Sequence, residues 1–79
     1  MIRLKSIKKN DNIVSCLAFV EDCETAVAVS YDVEKDVLLH KELPFDYFWC
    51  DRHFDYAKKE LKKMVDSGDI RDHATIMWY

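Results

Sequence analysis

Glycine and proline are almost absent from this chain of 79 residues, which contains one of each, Gly68 and Pro44. Its turns must therefore be made by other residues, and Asn and Asp are well suited because they tolerate the left-handed backbone conformation. Three short polar stretches, at positions 9–12, 21–24 and 32–36, interrupt the first half of the chain. We predict a turn at each of them.

The chain also lacks any long apolar run and any paired cysteine motif. No segment approaches the ~18 consecutive apolar residues of a transmembrane helix, and the alternating first nine residues do not resemble a signal peptide. The three cysteines, Cys16, Cys23 and Cys50, are an odd number without a Cys-x-x-Cys pair. Small secreted domains usually carry an even disulfide framework. We therefore predict a soluble, cytoplasmic protein that is not associated with a membrane.

A strong charge of one sign is missing as well. The formal net charge is -3 and the isoelectric point is about 5.5, so no global positive field attracts nucleic acids or anionic lipids. Hydrophobic residues make up 49% of the chain and charged residues 34%, a composition typical of globular proteins. We predict a single domain over residues 1–79 that does not bind nucleic acid tightly.

The first half of the chain alternates apolar and polar residues with a period of two, which is typical of β-strands. In the first such segment Ile2, Leu4 and Ser6 share one parity, and Ile7 falls on the other with two basic residues. Further strands are predicted at 13–20, 25–31 and 37–42, and β-branched and aromatic residues predict a last strand at 74–79. Short connections between the first four strands favour hairpins and an antiparallel sheet.

The period changes to 3.6 residues after Pro44, which is typical of an amphipathic helix. The spacing predicts a helix from about Asp51 to Asp66, with Asp51 as its N-cap and Gly68 just beyond its C-terminal end. Its apolar arc holds Phe54, Ala57, Leu61, Met64 and Val65, and we expect Phe54, Leu61 and Met64 to be buried against the sheet. The opposite arc carries Arg52, Asp55, Lys59, Lys63 and Asp66.

The predicted elements follow the order ββββαβ, which indicates an α+β fold, a mostly antiparallel sheet with one amphipathic helix packed on one face. The strand at 13–20 is apolar on both parities, and one helix leaves the second face of the sheet uncovered. We expect that face to keep several Val, Cys and Ala side chains. Either sheet twist, the loop at 43–50 and the tail cover it, or a second copy of the chain or another protein does.

The segment from Phe45 to Tyr56 contains six aromatic residues in twelve positions. These residues either close the open end of the core or form a binding surface, since Trp and Tyr are favoured interface anchors. We expect Trp49 and Tyr56 to be exposed. The candidate interaction residues are Phe45, Tyr47, Trp49, Tyr56, Trp78 and Tyr79.

Cys50 and His53 stand three residues apart at the start of the predicted helix. An exposed thiol at a helix N-terminus has a lowered pKa, so a thiol nucleophile is one hypothesis. Cys50 falls on the apolar arc, however, which favours a buried and inert thiol. Zinc needs three or four protein ligands, and the other cysteines and histidines are scattered singly. No phosphate-binding loop or known catalytic motif occurs, so we expect no metal, no cofactor and no catalytic residue.

One face of the predicted helix is locally basic. Phosphate-backbone binding is a hypothesis for such a face, and a solvated helix face is the alternative, because Asp55 and Asp66 interrupt it. The basic residues are Lys58, Lys59, Lys62 and Lys63.

The chain ends in Thr-Ile-Met-Trp-Tyr at positions 75–79, after a lysine-rich helix and a strand meander. In this ending and layout it resembles a group of short uncharacterised proteins of Gram-positive bacteria and their mobile elements, which finish in a similar Met-Trp-Tyr. The resemblance implies a bacterial protein without an assigned activity, and it carries over no catalytic residue.

These features favour a protein-interaction module over an enzyme. The leading hypothesis is a non-enzymatic module that self-associates as a homodimer or binds another protein. The alternative is a nucleic-acid-associated protein that uses the basic helix face, and a third hypothesis is a thiol enzyme at Cys50 and His53.

Overall fold

Four consecutive strands form an antiparallel meander, and a fifth strand joins it after the helix. The computed structural model describes residues 1–77 and has the strand order β4-β3-β2-β1-β5, with every neighbouring pair antiparallel. A 3-10 helix precedes the α-helix. The elements are β1 (Ile2–Asn10), β2 (Ile13–Val20), β3 (Val27–Asp32), β4 (Val37–His40), the 3-10 helix (Phe45–Arg52), α1 (His53–Ser67) and β5 (Ala74–Ile76).

This architecture confirms the predicted α+β fold and the order ββββαβ. The predicted last strand extended to position 79, whereas β5 is the three residues Ala74–Ile76. Trp78 and Tyr79 lie outside the described residues. β3 begins two residues later than predicted and ends one residue later, and β4 ends two residues earlier than predicted.

Acidic residues supply left-handed backbone at the turns, as the scarcity of glycine predicts. Asp11 has a φ of 55° and lies in the two-residue turn between the paired residues Asn10 and Ile13. Asp36, just before β4, also has a φ of 55°. Asp is among the residues that adopt this conformation most readily, so these hairpins form without glycine.

A β-bulge in β1 changes which face of the sheet Ile7 occupies. Lys5 pairs with Leu17 and Lys8 with Ser15, so β1 carries one extra residue in this interval. Ser6 takes up the irregularity with a φ of 55°. Because the bulge resets the alternation, Ile7 is buried on the same face as Ile2 and Leu4. Strict alternation wrongly placed Ser6 there instead.

The helix packs on the sheet with the face that its periodicity predicts. Phe54, Leu61 and Met64 are buried against the strands. Gly68 ends the helix with a φ of 74°, and its N–H donates to the carbonyl of Val65. Among the helices described within residues 1–77, none is long and apolar enough to cross a membrane.

The start of the helix differs from the prediction. The N-cap of α1 is Arg52, which has helical backbone angles and makes no side-chain cap. Asp51 is not the N-cap, because the 3-10 helix runs directly into α1. Carbonyl groups of the 3-10 helix accept hydrogen bonds from the first N–H groups of α1, which a capping side chain would otherwise accept.

The Val, Cys and Ala side chains of β2 were expected on the face of the sheet that the helix leaves uncovered, but they lie on the face under the helix. Small apolar residues of β2 are buried, together with their cross-strand partners on β3. The second face instead exposes the larger residues Ile13 and Leu17. The buried set comprises Val14, Cys16, Ala18, Val20, Val27, Val29 and Tyr31.

Candidate interaction surfaces

The 3-10 helix between Pro44 and α1 presents three aromatic side chains to solvent. Phe45 is 82% exposed, Trp49 65% and Phe48 47%. Pro44 has extended backbone angles and begins the segment, and its carbonyl accepts a hydrogen bond from the N–H of Tyr47 at 2.8 Å. We name Phe45, Phe48 and Trp49 the aromatic surface.

Contacts between neighbouring rings fix the geometry of the aromatic surface. Side chains three residues apart lie above one another in a 3-10 helix, and the rings of Phe45 and Phe48 meet edge to face at 5.7 Å. The indole N–H of Trp49 donates to the carbonyl of Asp46 at 3.0 Å, and its ring lies edge-on to His53 at 5.7 Å. Such pairs add about 0.5–1.5 kcal/mol beyond burial, so the rings are held in place before any partner binds.

Polar contacts join the inner side of this segment to the turn after β2. The hydroxyl of Tyr47 donates to the carboxylate of Asp22 at 2.9 Å, and this bond raises the pKa of Tyr47. His53 Nε2 lies 2.8 Å from Glu21. The ammonium group of Met1 also bonds Glu21, and these two partners lower the pKa of its carboxyl, the ammonium group most. These bonds attach the segment that carries the aromatic surface to the turn after β2.

The predicted interaction residues are found in three different settings. Phe45 and Trp49 are exposed, and Tyr56 is partly exposed on α1 with the Lys59 ammonium 5.5 Å from its ring centroid. Tyr47 is half-buried. Trp78 and Tyr79 lie outside the described residues.

Phe48 was missing from the predicted set. Its spacing of three residues from Phe45 is the signal that identifies it, because a 3-10 helix places side chains three residues apart on one face. Phe54 is buried in the core, as the core-closing interpretation predicts, whereas the aromatic surface faces solvent and its role in binding stays a prediction.

The face of the sheet opposite α1 forms a second candidate surface. Leu39 is 67% exposed, and Ile13, Leu17 and Val37 are each about 40% exposed. The ring of Phe19 is half-buried, because the Arg3 guanidinium and the Lys5 ammonium lie 5.4 and 5.3 Å from its centroid. We name Ile13, Leu17, Phe19, Val37 and Leu39 the open sheet face.

Cys50 and His53 are brought close together, but both are buried. Burial raises the pKa of the Cys50 thiol, whereas a nucleophile needs the thiolate. Nε2 of His53 lies 2.8 Å from the carboxylate of Glu21. Within residues 1–77, no group of three or more His, Cys, Asp or Glu side chains is arranged to hold a metal ion.

The basic helix face is partly neutralised by neighbouring acidic residues. The Lys58 ammonium lies 3.7 Å from the carboxylate of Asp36. A hydrogen bond from Tyr31, and secondarily the charge of Lys58, lower the pKa of Asp36. Asp55 and Lys62 are exposed on the same helix. The face is therefore a mixed-charge surface, which is typical of a solvated helix.

Comparison of the chain with protein-family models, with curated proteins and with solved structures finds no match.

Proposed function

We propose that this protein is a non-enzymatic protein-interaction module that self-associates as a homodimer through its open sheet face. The observation that carries the proposal is the group of apolar side chains on the face of the sheet that α1 does not cover. A solvated sheet face normally carries polar residues, and leaving apolar surface in water forgoes about 25 cal/mol per Å².

The shape of the open sheet face would allow it to pack against the same face of a second copy. On β2, Ile13 and Leu17 form an apolar ridge, and on β4, Val37 and Leu39 form another. The intervening strand β3 presents the small residues Ala28 and Ser30, which pair with Leu17 and Leu39 respectively, and Asp32, which lies between Ile13 and Val37. With strands ~4.8 Å apart, a shallow trough separates the two ridges.

A two-fold axis parallel to the strands and midway between β2 and β3 would seat the β2 ridge of each copy over the β3 trough of the other. Such an isologous contact satisfies both copies at once. It would also place β1 of one copy, with its Arg3 and Lys5, over β4 of its partner. The basic side chains of the two β1 strands would then lie apart from each other.

The area of the open sheet face determines how strong a dimer we expect. Four strands of about six residues present roughly 19 by 20 Å, so pairing two faces covers on the order of 800 Å². Stable interfaces bury about 1,200–2,000 Å². We therefore expect a weak dimer whose population rises with concentration.

Light scattering coupled to size exclusion, run from about 10 µM to about 500 µM protein, tests the proposal. The mass is expected to rise from 9.4 kDa toward twice that value, and Leu17→Asp or Leu39→Asp should hold it at the monomer. Phe45→Asp is the matched control, because Phe45 is exposed but lies outside the open sheet face.

A mass that stays at 9.4 kDa over the whole range would overturn self-association. Dissociation by Phe45→Asp with no effect of Leu39→Asp would keep self-association but reject this face.

A further inference from the structure

The segment that carries the aromatic surface is acidic. Residues 42–55 contain four carboxylates and one arginine, a formal charge of -3. The whole chain has 15 acidic and 12 basic residues, so the remaining positions hold eleven of each sign and balance. The aromatic surface therefore lies in an acidic segment, although positions 21–34, with five carboxylates and no basic residue, carry more negative charge.

A shallow hollow adjoins the aromatic surface on the side of Phe48. It measures about 290 Å³ and is lined by His40, Glu42, Leu43, Phe48 and Asp51. Leu43 is buried and supplies an apolar wall, whereas Glu42 and Asp51 are exposed. Pockets for whole ligands are about 300–1,000 Å³, so this hollow suits one long side chain.

We propose that the aromatic surface binds a segment of another protein that presents an arginine between apolar side chains, with the arginine in the hollow beside Phe48. A guanidinium group is planar, pairs with carboxylates and stacks on aromatic rings. Glu42 and Phe48 supply both kinds of partner at one place, and the Asp51 carboxylate, which lies 3.2 Å from Nε2 of His40, adds a second acidic group.

The apolar neighbours of the arginine would pack on Phe45 and Trp49. Exposed aromatic residues in fixed positions are the type of side chain that dominates binding energy at protein interfaces. Their ring contacts hold them in place, which reduces the entropy lost on binding. Because none of these residues belongs to the open sheet face, the proposal does not depend on self-association.

The charge around the hollow distinguishes this partner from other occupants. Cytoplasmic membrane surfaces carry a negative potential, and nucleic acids expose phosphates. Both would be repelled by the carboxylates of Glu42, Asp46 and Asp51. A positively charged peptide segment gains from the same carboxylates.

A peptide titration followed by NMR of the isotope-labelled full chain tests the proposal. The probe is an acetylated and amidated pentapeptide, Ser-Leu-Arg-Phe-Ser, and its matched control carries citrulline, which is uncharged, in place of arginine. We expect amide shifts confined to residues 40–52. We also expect at least about tenfold weaker binding of the citrulline peptide, because charge-assisted hydrogen bonds are lost.

Variants of the protein locate the site. Phe48→Ser and the double change Glu42→Gln with Asp51→Asn should each weaken binding at least about tenfold. Leu39→Ser removes an exposed apolar residue from the open sheet face and should leave binding unchanged.

Three results would overturn the proposal. The first is equal binding of the arginine and citrulline peptides, and the second is the absence of localised shifts. The third is co-sedimentation with phosphatidylserine vesicles that is lost in Phe45→Ser, which would identify a membrane as the occupant.

Discussion

The imidazole Nε2 of His53 lies 2.8 Å from a carboxylate oxygen of Glu21, and this pair joins the first turn of α1 to the turn after β2. The same oxygen accepts a hydrogen bond from the Met1 ammonium group, also at 2.8 Å. Two donors on one carboxylate oxygen hold three chain segments together at the end of the sheet where the aromatic surface begins.

Because of this carboxylate, we expect the stability of the protein to depend on pH in the acidic range. Its pKa is lowered in the folded state, so its contribution is present above the unfolded pKa of about 4.3 and is lost as the pH falls through the folded pKa. Glu21→Gln should destabilise the untagged protein by about 1 kcal/mol near pH 6, the scale of a partly exposed ion pair.

Thermal unfolding of both proteins between about pH 6 and pH 3 measures this effect. The difference between their midpoints should shrink as the pH falls. A difference that stays constant would mean that the carboxylate charge contributes nothing and that the change acts through packing.

Leu61 is fully buried between α1 and the sheet, so its truncation tests the helix packing. Leu61→Ala should lower the free energy of unfolding by about 2–5 kcal/mol, through lost burial and the cavity left behind. Lys62→Ala, at the next and exposed position, should change it by less than about 0.5 kcal/mol. Chemical denaturation gives both values, and equal small effects would show that this side of α1 does not face the core.

All three cysteines are free and buried, and burial raises the pKa of Cys16 to about 11. We expect the native protein to react slowly with a disulfide reagent such as Ellman's and to release three thiols once denatured. Ser30→Cys places a thiol at an exposed position and should react at once, as a control. An intact mass lower by two protons or stoichiometric zinc in the native protein would contradict this expectation.

The mixed charge of the basic helix face predicts no tight complex with nucleic acid. Fluorescence anisotropy with labelled single- and double-stranded oligonucleotides, near 150 mM salt, should show no sub-micromolar binding. A sub-micromolar complex whose affinity falls steeply with salt and is lost on charge reversal at Lys62 and Lys63 would favour the nucleic-acid hypothesis.

Local patterns predict most of the elements because the forces behind them act over a few residues. The strand at Ile13–Val20 has the predicted bounds, and the 3.6-residue period identified the buried positions of α1, including Phe54 and Leu61. Helix and strand periods follow from backbone geometry alone, so they are visible in a single sequence.

The aromatic segment shows where local patterns stop being informative. Phe45, Phe48 and Phe54 have the same side chain, yet only Phe54 is buried. Whether a ring near an element boundary is buried depends on the path of the 3-10 helix across the end of the sheet. That path is set by contacts with distant residues, such as the bonds from Tyr47 to Asp22 and from His53 to Glu21.

The sequence by itself determined the alternation within β3, which puts Val27, Val29 and Tyr31 on one face, and hence the existence of an apolar sheet face. Only the tertiary structure decided which parity of β2 joins that face, because β2 is apolar on both sides. Val14 pairs with Tyr31 and Ala18 with Val27, and cross-strand neighbours share a face. The bulge at Ser6 likewise arises from pairing between strands, and through it Ile7 enters the core.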